Sequence, residues 1–77
     1  MERKIRLQVI IFCQNVKTLR KQNGLTQKEM AEKLGIGVKS LSLMENGIVP
    51  KRLSTEVIYK VSNCFDVSAS VLLSTVL

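Results

Sequence analysis

The stretch LGIGVKSLSLMENG, residues 34–47, constrains this chain more than any other part of it. Gly35 and Gly37 would each cost about 1 kcal/mol against Ala inside a helix, so one continuous helix through them is disfavoured. On both sides the apolar residues keep helical spacing. The pattern therefore predicts a helix ending at Leu34, a turn over Gly35, Ile36 and Gly37, and a shorter helix over Val38 to Glu45, closed by Asn46 and Gly47. The inner positions agree. Ala31 is small where the two helices must approach, and Gly35 can take the left-handed conformation of the turn. Met30, Leu34, Ile36, Leu41 and Met44 form the apolar wedge that sets the angle between them.

The rest of the chain also reads as helix. Ile5, Val9, Phe12, Val16 and Leu19 recur at spacings of four and three, predicting a first helix from about residue 5 to Gln22, stopped by Asn23 and Gly24. The β-branched cluster at 9–11 lowers helix propensity and leaves the first several residues open to an irregular arm. Thr26 as N-cap, Glu29 three residues on, and Leu25 with Met30 as a hydrophobic staple announce the second helix. Beyond the loop IVPKRL, Ser54 caps a fourth helix through Phe65 with Ile58, Val61 and Phe65 facing inward. Asp66 breaks it, Ser68 caps a last short helix, and Val67 with Leu72 repeats the staple. No sustained alternation and no flanked hairpin turn marks a strand. The expected fold is all-α: a compact bundle of five short helices in a single domain over 1–77. Its core runs over about 11–73, with an N-terminal helical extension and an apolar tail, VLLSTVL.

Seventy-seven residues lie near the lower limit for a self-sufficient core and exclude a second domain. Residues 1–52 hold 11 basic and 4 acidic side chains, net +7, whereas residues 53–77 are net −1. A front so charged attracts polyanions, nucleic acid first and an anionic membrane second; solubility alone is the plain alternative. Cys13 and Cys64, both among apolar residues, read as buried reduced thiols of a cytoplasmic protein, and no histidine exists to complete a zinc set. No metal or cofactor is expected. The start MERKIRLQVIIFC has a basic head, but its short apolar run is interrupted by Gln8 and lacks a small-residue cleavage site, so it is not read as a signal peptide. No run approaches the roughly 18 apolar residues of a membrane span. An enzyme is disfavoured: there is no histidine, no nucleophile elbow and no paired carboxylate cluster. GIGVKS lacks the Gly-Lys-Ser adjacency of a phosphate-binding loop.

Gln27 to Asn46 thus has the layout of a helix-turn-helix, in which the first helix lies across a phosphate backbone and the second enters the major groove. The run LRKQNGLTQKEMAEKLGIGVKSLSLMENG, continued through LSTEVIYKVSNCFDVSASVLL, resembles the phage repressor (Cro/C1-type, XRE) helix-turn-helix regulators. The likeness covers about residues 11–73 and rests on the combination of Gln27, Ala31, Gly35, Glu45 and Gly47. It implies a lambda repressor-like fold and sequence-specific double-stranded DNA binding by a small transcription regulator acting as a repressor and as a homodimer. By the same likeness Gln27 lies on a phosphate and against the start of the recognition helix, with Thr26 and Lys28 beside it. Gly37, Val38, Lys39 and Ser40 take the groove-entering positions, Ser42 and Leu43 follow one turn on, and Asn46 meets phosphate. Arg20 and Glu45 align with a buried ion pair. Thr26 reads equally well as a cap alone.

The chain departs from that pattern where bases are read. Relatives favour Gln, Arg, Asn and Ser there, and this chain has Val38 and Leu43. Lys39 can donate to guanine, Ser40 can serve either base of a pair, and Val38 can touch a thymine methyl. Leu43 either covers a methyl or marks a protein contact. Lys51 and Arg52 are expected to grip phosphate. The alternative function is a protein-interaction module on the same fold, using Val38, Leu43 and the apolar tail. A second apolar set, Leu7, Ile10 and Ile11, with Val71, Leu73, Val76 and Leu77 of the tail, is the expected dimer surface, less whatever packs the tail onto the first helix.

Overall fold

Phe12, Val16 and Leu19 fall on one face of α1 (Glu2–Gln22), and the first two are fully buried. The computed structural model describes residues 2–48 and 54–77, with the backbone alone for residues 2–5. Helix therefore replaces the irregular arm held open at the start: Glu2, Arg3, Lys4 and Arg6 are good helix formers and outweigh the β-branched cluster that follows. α1 stops at Gly24, which takes the left-handed conformation (φ +64°), and the Leu25 N–H closes back onto the Arg20 carbonyl at 3.0 Å.

α2 (Gln27–Leu34) starts on a complete capping box. The Glu29 N–H donates to Thr26 Oγ1 at 3.1 Å and the Thr26 N–H donates to Glu29 Oε1 at 2.9 Å. The bond from the Thr26 backbone holds the Glu29 carboxyl below its ordinary range. The box therefore favours the fold above the usual carboxylate range and weakens as pH falls through the depressed value. Gly35 turns the chain at φ +69°. A side chain there would be strained by that backbone conformation, whereas the Lys60 ammonium that a Cβ would meet at 2.6 Å ends a flexible side chain and can swing away.

α3 (Val38–Glu45) buries Leu41 and Met44, and no side chain caps its first turn. It ends in a Schellman motif, with Gly47 at φ +83° and the Ile48 N–H on the Leu43 carbonyl at 3.0 Å. α4 (Thr55–Phe65) is capped by Ser54 and ended by Asp66 in the left-handed region, and α5 (Ala69–Ser74) is capped by Ser68. On α4 the stripe of Val57, Ile58, Val61 and Phe65 faces the core. Cys64 lies at the edge of that stripe in the last turn and is exposed, which corrects the expectation that both thiols are buried. Burial pushes the Cys13 thiol up.

α1 packs against α3 and α5, α2 against α3 and α4, and α4 against α5. Phe12, Val16, Met30, Leu34, Leu41, Val61 and Leu72 meet in one core. Each such side chain contributes about 1.5–3 kcal/mol by leaving water. One polar residue sits among them. Asn15 is fully buried, and its amide donates to the carbonyls of Leu72 and Thr75 at 2.9 and 2.8 Å while its oxygen accepts the Leu77 N–H at 2.9 Å. The carbonyls that α5 leaves open at its last turn are thereby partly satisfied from α1. Among the described residues no buried side-chain nitrogen or oxygen lacks a partner.

Candidate nucleic-acid interface

The end of α1, the start of α2 and the end of α3 converge on one carboxylate. Arg20 Nε and Nη2 donate to the two oxygens of Glu45, each at 2.8 Å, and Arg20 Nη1 donates to the Leu25 carbonyl at 3.0 Å. Gln27 Nε2 adds a bond to Glu45 Oε1 at 3.3 Å. The side chains of Arg20 and Glu45 are 15% and 3% exposed, so the pair is largely withdrawn from water. A two-pronged contact of this kind fixes orientation as well as distance, and here it sets the rotation of α3 about its own axis.

That rotation decides what α3 shows. Leu41 and Met44 go inward, Ser42 is half-buried, and Val38, Lys39, Ser40, Leu43 and Asn46 are exposed on the other side. Gly37, Thr26 and Lys28 are exposed as well, and Gln27 is half-buried. The structure places the Gln27 amide against the carboxylate of Glu45, the last residue of α3. The Thr26 hydroxyl is engaged as a cap acceptor and keeps its proton free to donate. Lys51 and Arg52 lie outside the described residues.

Ile48 belongs with this face although its sequence position gave it no role. It is 55% exposed, and with Ser40, Leu43 and Met44 it lines an open apolar hollow of about 140 Å³. The signal was present in the spacing: an apolar residue directly after the closing glycine of a helix packs on the residue five positions earlier, here Leu43.

Among the described residues no helix is long and apolar enough to cross a membrane, and no group of three or more His, Cys, Asp and Glu is placed to hold a metal. Two short helices joined by a left-handed glycine, the second clamped with a side free, within a bundle of five helices among the described residues, define a DNA-binding domain of the helix-turn-helix class. The helix-turn-helix family model HTH_3 matches residues 16–72, and the chain belongs to that family, the Cro/C1-type DNA-binding transcription regulators. Neither a curated protein nor a solved structure matches the chain.

Proposed function

We propose that this chain is a small cytoplasmic repressor that binds a preferred double-stranded DNA sequence as a homodimer, with α3 in the major groove. The observation that carries the reading is the Arg20–Glu45–Gln27 clamp, which holds α3 with Val38, Lys39 and Leu43 outward at the front of a strongly cationic region. Lys39 is the one charged side chain between Gly37 and Met44, so it is the strongest base-edge donor of the helix, aimed at guanine O6 or N7. Thr26, Gln27, Lys28 and Asn46 serve phosphate, together with Lys51 and Arg52. Val38 and Ser40 complete the groove contacts, with Ser42 and the Gly37 backbone beside them. Leu7, Val71, Val76 and Leu77 are exposed apolar residues outside this face and supply the dimer contact.

The test is binding to a duplex selected from a random pool, followed across salt. Affinity is expected to fall by orders of magnitude between about 50 and 200 mM, because each phosphate contact releases a counterion. Lys39→Ala should cost about 1–3 kcal/mol on the preferred duplex and relax selectivity at one base pair. A flat salt curve would move the function to the protein-interaction reading that the exposed Val38 and Leu43 favour. An equal loss on every single-base variant would remove the readout role of Lys39. Sedimentation of the same complex should show two chains per site, with half-sites about 34 Å apart; a single chain both free and bound would reject the dimer.

A further inference from the structure

We propose that the homodimer forms by exchange of α5: in each chain α4 and α5 join into one helix over Thr55–Ser74, and α5 seats in the bundle of a second copy of this chain. This rests on the homodimer of the reading above and names how the two chains hold each other. Two observations concern the joint between α4 and α5. α1, α2 and α3 are each closed by a left-handed glycine, whereas α4 stops on Asp66 at φ +54°, the one non-glycine residue with such a backbone among the described residues. A side chain raises the energy of that conformation, so this stop is the least favourable of the four. No glycine or proline follows Pro50, so nothing in Asp66, Val67 and Ser68 forbids helix. With the joint helical, Thr55–Ser74 becomes one rod about 30 Å long that carries α5 off its own bundle.

The third observation is the seat that α5 vacates. Leu72 is fully buried there, and Asn15 binds the carbonyls of Leu72 and Thr75 and the N–H of Leu77. A single opened chain would strand the Asn15 amide and expose the core, so it does not persist alone. A second copy offers an identical seat. Reciprocal exchange about a two-fold axis remakes every one of these contacts and releases the backbone of two Asp66 residues. Val71, Val76 and Leu77, exposed in the closed chain, travel with α5 to the junction of the two copies.

The experiment measures dimer dissociation of the full chain by sedimentation, for Asp66→Gly and Asp66→Ala. Both remove the same charge, so their difference reports the backbone. Glycine favours the left-handed stop and alanine the continuous helix. With two joints per dimer, Asp66→Ala should dimerise at least about 100-fold more tightly than Asp66→Gly. A second measurement keeps the native joint: tagged and untagged native dimers are mixed. Mixed pairs should form no faster than the core opens, and markedly faster when both carry Leu72→Ala, because Leu72 must leave one core before entering another. Equal dissociation constants for the two Asp66 variants, or mixing that is complete at once, would mean a dimer held by surface contacts; the exchange is then wrong and the homodimer stands. A native chain that stays single both free and on the selected duplex overturns the exchange and the homodimer together, while salt-dependent duplex binding still judges the DNA reading.

Discussion

Arg20→Ala is expected to lower the stability of the domain by about 3–5 kcal/mol, the range for breaking a buried ion pair by removing one partner. It should exceed the loss from Glu45→Ala, and the asymmetry follows from burial. Without Arg20, a carboxylate that is 3% exposed keeps one contact, the Gln27 amide at 3.3 Å. Without Glu45, the guanidinium retains the Leu25 carbonyl and its 15% exposure gives it a route to water. A small domain has only about 5–15 kcal/mol in total, so Arg20→Ala removes a large share of it. Urea unfolding of the two single variants and the double variant decides the matter. The double variant should be far less destabilised than the sum of the singles, because the second change removes a charge the first had stranded. Losses below about 1 kcal/mol for both singles would show a solvated pair, and the clamp would then not hold α3.

What could be read in advance divides along the range of the interaction. The start of α2 was legible because Thr26 and Glu29 bond each other three residues apart, and the turn because Gly35 alone suits its left-handed backbone. Both ends of α4 and the start of α5 likewise follow from Ser54, Asp66 and Ser68, each acting within its own neighbourhood. The Arg20–Glu45 contact spans 25 residues and was reached only through family likeness, since no local rule pairs an arginine with one particular glutamate. The Gln27–Glu45 bond spans 18 residues and has no local signal for the same reason. Cys64 is exposed although α4 carries an apolar stripe, because exposure depends on its azimuth around the helix and not on the apolar residues near it in sequence. Asn15 sits three residues from Phe12 and four from Leu19, on the inward stripe. A polar residue on an apolar stripe announces a buried hydrogen bond, but its partners are backbone atoms of Leu72, Thr75 and Leu77, which any sequence presents equally.

Those bonds carry the second large effect. Asn15→Asp is nearly isosteric, yet it exchanges the amide donor for an acceptor facing two carbonyls, at a site with no exposure. The orientation of the native amide is forced, because two carbonyls need a donor and one N–H needs an acceptor. Only the Leu77 N–H keeps its partner in the variant. A buried carboxylate without a compensating cation should cost more than Asn15→Ala, which is expected to lose about 2–4 kcal/mol from stranded backbone groups and the space left behind. The groups strand unequally. Leu72 is fully buried, so its carbonyl reaches water only if the side chain leaves the core, whereas Thr75 and Leu77 are exposed and rehydrate easily. Partial release should therefore come first: in Asn15→Ala the Leu77 amide exchanges with solvent much faster while the amides of α2 and α3 keep their protection. Hydrogen exchange followed residue by residue, with urea unfolding of both variants, checks the order. If Asn15→Asp proves as stable as the native chain, or if Leu77 keeps its protection in Asn15→Ala, the segment after α5 is held by its apolar contacts and not by Asn15.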